Sequence, residues 1–164
     1  MRCTSKLKSG EQTAQDGLDF GRLDGLVGFH LRMASAAVAR DFAMAMAGLD
    51  LTQKQCAVLE LIAANPQVSQ IDLAQALGTD RATMMAVVDR LDGRGLILRR
   101  KSGRDGRRQE LSLSAAGGRL LGEARDRIAA HEARFRAGLG DRRTDALIVL
   151  LRRVVAAGIG DDLL

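Results

Sequence analysis

Seven cationic side chains fall within fifteen positions, Arg94, Arg99, Arg100, Lys101, Arg104, Arg107 and Arg108, opposed only by Asp105. Guanidinium and ammonium groups at this density bind phosphates through charge-assisted hydrogen bonds, bidentate in the case of arginine. The segment carries net +6 in a chain of net +5, so the other residues sum to −1. The positive charge is local, and a polyanion is the partner it fits. Covalent chemistry has no comparable grouping. Asp89, Asp92 and Asp105 sit in turns or beside arginines, with no histidine or nucleophile in a recognisable pattern. Gly103–Gly106 lacks the Gly-Lys-Ser/Thr ending of a phosphate-binding loop. These residues point to a binding protein and away from an enzyme.

Composition narrows the partner. With 164 residues, 46% hydrophobic and 27% charged, the chain fits one domain or a long-helixed protomer with a real core. Its aromatic residues are Phe20, Phe29, Phe42 and Phe135 alone, too few for the stacking platforms that grip single strands. Cys3 and Cys56 make no disulfide framework, and with His30 and His131 they make no ordinary zinc set. No metal and no cofactor is expected. Residues 1–17 read as a loose polar tail without an apolar leader, and the longest aliphatic run, Ala146–Leu151, is six residues. The expectation is a cytoplasmic protein without a membrane partner.

Several elements must position the cations. Leu23, Leu26, Val27, His30, Leu31, Ala34, Val38, Phe42 and Met46 recur at threes and fours, predicting a long first helix that Gly48 and Asp50 end. Thr52-Gln53-Lys54-Gln55 is a capping box opening a second helix, which stops before Asn65-Pro66. Ser69 caps a short third helix, Gly78 permits a sharp turn, and Asp80 caps a fourth. In that fourth helix Met84, Val87, Val88 and Leu91 share a packing face, while Arg81, Ala82, Met85, Ala86 and Asp89 face outward. Leu96–Leu98 and Leu111–Leu113 flank the turn-rich Ser102–Gly106, predicting a hairpin with a basic tip. Ser114 opens a helix with the seam Leu121, Ala124, Ile128, His131 and Phe135. Asp141 is the expected cap of a last helix.

Two short helices around a glycine turn, followed by a basic hairpin, make a winged helix-turn-helix. The fold class is mainly α with a small β-hairpin. The fourth helix suits the DNA major groove, and the expected contacts along it are Arg81, Thr83, Met85, Ala86 and Arg90. The hairpin suits a minor groove through the cations Lys101, Arg104, Arg107 and Arg108. Amides at the start of the Ser69-Gln70 helix would hold phosphates. An arginine at a helix start such as Arg81 is slightly unfavourable without an anion, which favours the DNA role.

Leu51-Thr52-x-x-Gln55, Leu73-Ala74-x-x-Leu77, Val88-Asp89-Arg90-Leu91-x-x-Arg94-Gly95-Leu96 and Asp105-x-Arg107-Arg108, followed by Leu113-Ser114-x-x-Gly117, resemble the multiple-antibiotic-resistance regulator (MarR) family. The likeness runs from Leu23 to Val155. It implies an obligate homodimer, with residues 18–50 and 115–164 as a dimerisation region and 51–114 as a DNA-binding lobe. It also implies a pseudo-palindromic operator and a small-molecule pocket between lobe and dimer region. On this resemblance the chain is expected to be a sequence-specific transcription regulator, a repressor released by a small aromatic acid-like or acyl-thioester effector. By carry-over Arg107 is the wing arginine and Asp105 steadies the tip, although Gly106 departs from the frequent Asp-Arg-Arg and leaves Arg108 as the other candidate. Met85 and Ala86 stand where many members have threonine or serine and then arginine, so contact there is apolar, for example with thymine methyls.

Other readings compete at particular residues. His30 on an apolar stripe reads first as a packed histidine. Its sharper role is an effector donor, with Arg32 or Arg40 supplying the cation. His131 reads as packed, and Cys56 as a small buried hydrophobe. A thiol-based redox sensor is the minority alternative, since peroxide-sensing relatives pair a reactive cysteine with tyrosines and this chain has no tyrosine. A nonspecific architectural DNA binder would share the basic hairpin.

Overall fold

The computed structural model describes residues 18–101, 103 and 109–158. The chain divides into two compact units, one ending at Ala37 and the other beginning at Val38. In the first, Gly21–Gly25 forms a 3-10 turn, Leu26 is extended, and helix α1 starts at Val27 and continues to Ala45. The apolar stripe read from Leu23 is therefore broken at Leu26 before the α-helix begins.

In the second unit, Gly48 at φ +84° and Asp50 at φ +50° lead from α1 to α2 (Gln53–Ala64). The last carbonyl of α1 and those of the link beyond it lack helical donors, and two distant arginines supply four of them. Arg127 donates to Ala45 O at 3.4 Å and Ala47 O at 2.5 Å, and Arg94 donates to Leu49 O at 3.0 Å and Asp50 O at 2.5 Å. Helix α2 opens on the expected box: Gln55 N donates to Thr52 Oγ1 at 3.2 Å and Thr52 N to Gln55 Oε1 at 2.8 Å.

Strand β1 (Val68–Ser69), α3 (Gln70–Ala76), α4 (Arg81–Gly93), β2 (Ile97–Lys101) and β3 (Gln109–Leu113) follow. Gly78 holds the α3–α4 turn at φ +55°. The sheet is antiparallel in the order β1-β3-β2, with Val68 opposite Leu111 and Ile97 opposite Leu113. The hairpin stands where expected, and β1 adds a third strand. Val58, Leu59, Leu73, Met84, Val88, Leu91, Ile97, Leu111 and Leu121 are buried together, so α2 to α5 and the sheet share one core.

Helix α5 (Ala115–Leu139) runs unbroken through Gly117, Gly118 and Gly122. Ser114 Oγ accepts from Gly117 N at 2.9 Å and donates to Gly95 O at 2.7 Å, joining the start of α5 to the chain entering β2. Gly117 is needed there, because a Cβ on it would lie 1.9 Å from the Leu96 carbonyl oxygen. Helix α6 (Asp141–Gly158) begins at Asp141 itself, where sequence placed a cap. The Gly140 carbonyl accepts from Thr144 N and Oγ1, both at 3.0 Å. Leu147, Ile148, Leu150, Leu151, Val154 and Val155 on α6 are exposed. Among the described residues no helix is long and apolar enough to cross a membrane.

Candidate nucleic-acid interface

Helix α4 is built to show one face. Met84, Val88 and Leu91 are fully buried, whereas Arg81, Thr83, Met85, Ala86 and Arg90 are exposed. Such a division fixes the helix on the core without using its outward side chains. Asp80 caps it, accepting from Thr83 N at 2.8 Å and from Thr83 Oγ1 at 2.6 Å. The Thr83 hydroxyl bond, more than the amide, holds the Asp80 carboxyl below its usual range. Thr83 therefore spends its hydroxyl proton on the cap and offers its remaining surface. Met85, about half exposed at 51%, is the largest apolar group on this face.

The start of α3 is closed on itself. Ser69 is buried, its amide donates to Asp72 Oδ2 at 2.9 Å and its hydroxyl to the same oxygen at 2.8 Å, while Asp72 N donates back to Ser69 Oγ at 3.4 Å. Ser69 and Asp72 thus close a reciprocal capping box on the first turn of α3, and Gln70 beside it is half-buried.

Among its described members, the basic segment separates into cations engaged by the fold and cations exposed on a strand. Arg94 is committed to the carbonyls of Leu49 and Asp50. Arg99 is ion-paired with Asp89 and with Asp92, its Nε 2.9 Å from Asp92 Oδ2. Arg100 and Lys101 are exposed on β2, opposite Glu110 and Gln109 of β3. Arg104, Asp105, Arg107 and Arg108, the expected wing-tip set, lie outside the described residues. Sequence reasoning missed the roles of Arg94 and Arg99 because their partners are fixed by tertiary contact.

The effector candidates fall in two places. His30 and Arg32 flank Phe29, with His30 edge-on at 5.5 Å between ring centroids and the Arg32 guanidinium 5.7 Å from the ring centre. His30 is exposed on the single chain, and its Nε2 bonds Asp24 O at 2.8 Å. Arg40 is exposed in the second unit. A cleft of about 640 Å³ that sequence did not reveal opens between the end of α1 and the start of α2. Phe42, Met46 and Leu51 form its apolar wall, and Lys54, whose ammonium donates to Thr79 Oγ1 at 3.1 Å, lines it too.

A sequence model of the MarR family matches residues 48–108, which span α2 to the basic segment. The regulatory protein ascribed to the hcr operon of Thauera aromatica is 35% identical over 135 residues, 82% of this chain and 81% of that relative. The chain belongs to the MarR family. Solved structures of MarR-family regulators share its fold. The transcriptional repressor CouR bound to a 23-mer DNA duplex is 36% identical, covers 85% of this chain and 99% of its own, and superposes with a TM-score of 0.82. CouR bound to p-coumaroyl-CoA is 35% identical over 85% of this chain and 98% of its own, with a TM-score of 0.78. As a MarR-family member, the protein is a DNA-binding transcription regulator with a winged helix-turn-helix.

Proposed function

We propose that this regulator is a cytoplasmic, homodimeric, non-enzymatic repressor that grips a pseudo-palindromic operator and releases it on binding an aromatic acid or acyl thioester. The observation that carries the reading is α4, whose buried Met84, Val88 and Leu91 anchor an exposed row of Arg81, Met85, Ala86 and Arg90 beside a basic hairpin. A major groove accepts such a helix, and the adjacent minor groove suits the hairpin. Arg107 or Arg108 is proposed to enter that minor groove, with Arg104, Asp105 and Lys101 around it and Gln70 near the backbone. Ser69 serves in this reading as the cap that orients α3. The exposed aliphatic face of α6 supports a dimer, since an apolar patch of this kind rimmed by polar residues marks an association surface.

The α1–α2 cleft is of the size of small-ligand sites. Phe42, Met46 and Leu51 would take the acyl or aromatic part and Lys54 the anionic part. His30, Arg32 and Arg40 are separately proposed effector contacts. p-Coumaroyl-CoA, to which the similar repressor CouR is bound in a solved structure, combines both parts. The test is a binding titration on a duplex selected by the protein from a random pool, repeated with p-coumaroyl-CoA and with free aromatic acids. Specific binding with a steep negative salt slope, weakened by one of these ligands, is expected. Equal affinity for random duplex would indicate an architectural binder instead.

A further inference from the structure

We infer that Arg99 is a positioning residue that braces the wing against the reading helix, so that both engage one duplex. Along β2, alternate residues face opposite sides, and Arg99 shares its side with the buried Ile97. That side packs on α4. Asp89 and Asp92 stand three residues apart on α4, close enough to repel one another. The Arg99 guanidinium meets both, and its side chain is only 24% exposed against 55% for Asp89 and 42% for Asp92. The guanidinium holds Asp89 by a directed hydrogen bond from a terminal nitrogen and Asp92 by the charge of Nε alone, from one rigid plane that an ammonium does not offer.

The brace has two physical effects. It fixes the β2–β3 ladder relative to α4, and that ladder carries the chain between Lys101 and Gln109 in which Arg104, Arg107 and Arg108 occur. It also offsets two carboxylates on a helix that must approach a polyanion. Because Arg99 is turned toward α4, it acts through the elements it joins rather than by touching DNA.

The inference rests on the DNA-binding reading, and the experiment separates the two. The full chain is footprinted on a duplex selected by the wild type, with guanine-N7 methylation reporting the major groove and hydroxyl radicals the flanking minor groove. Arg99→Gln is expected to keep the major-groove protection, lose the flanking protection, weaken binding on the order of tenfold and lower the salt slope by about one or two contacts. The triple variant Arg99→Gln/Asp89→Asn/Asp92→Asn is one charge more positive than wild type. It should recover affinity but not the flanking protection. Return of that protection in the triple variant, or its persistence in Arg99→Gln, overturns the brace. If Arg99→Gln does not fold, Arg99→Lys replaces it, and undiminished flanking protection overturns the brace equally. A wild type that selects no duplex overturns the DNA reading itself.

Discussion

The Asp41 carboxylate on α1 and His131 on α5, ninety positions apart, meet at 2.5 Å between Oδ2 and Nδ1. A carboxylate only accepts, so Nδ1 carries the proton and donates. His131 is buried at 1% exposure, edge-on to Phe42 at 5.8 Å and to Phe135 at 4.9 Å. Arg134 donates to the same Asp41 oxygen at 2.6 Å, and its bond, ahead of that from His131, holds the Asp41 carboxyl below its usual range.

An acid limb in stability follows. Asp41, Glu60 beside Arg125, and Asp80 beside Thr83 all have lowered folded-state pKa values. Such groups stabilise the fold above the ordinary carboxylate range and lose that contribution as pH falls through their folded values. Melting midpoints followed by circular dichroism should stay nearly level from about pH 7 to 5 and drop below about pH 4. Asp41→Asn should lower the neutral midpoint and shorten the drop.

Gly117→Ala should cost about 3 kcal/mol or more, because the added methyl meets a backbone oxygen that also accepts from Ser114 N at 3.0 Å. Gly118→Ala, with nothing within 4 Å of its added carbon, should be neutral or slightly stabilising. Denaturant unfolding of the two variants makes the comparison.

Two arginines should behave in opposite ways. Arg94→Ala removes donors to two carbonyls and should cost about 1–2 kcal/mol of stability while leaving the salt slope of DNA binding unchanged. Arg81→Ala should leave stability nearly unaltered and weaken DNA binding. Relaxed sequence preference would indicate base contact, and a slope reduced by about one would indicate phosphate contact.

Burial, reinforced by the charge of Glu60, pushes the Cys56 thiol up from its ordinary value, which suppresses the reactive thiolate. Native protein should therefore resist alkylation at Cys56 at neutral pH, and Cys56→Ala should leave DNA binding insensitive to peroxide, as in wild type. Peroxide release of DNA that disappears in Cys56→Ala would establish a redox sensor.

What sequence made legible were features set by neighbours a few residues apart. The Thr52, Ser69, Asp80 and Ser114 caps each bind a group three positions on, and the outward face of α4 follows from helical period. Strand β1 was not legible, since two residues carry no period and Val68 is a strand only through Leu111. The commitments of Arg94, Arg99 and Arg127 were hidden for the same reason. A run of cations shows its charge in sequence, but which members face solvent depends on carbonyls and carboxylates brought near by folding. The α1–α2 cleft likewise exists only once Phe42 and Lys54 stand on adjoining helices.

The twin arginine clamp on residues 45–50 bears on how this chain can change length over evolutionary time. Arg94, just past the end of α4, and Arg127, on α5, reach that link from separate places in the chain and grip consecutive stretches of it. An inserted residue would slide at least one guanidinium off its oxygen, so insertions and deletions should be purged from this short connection.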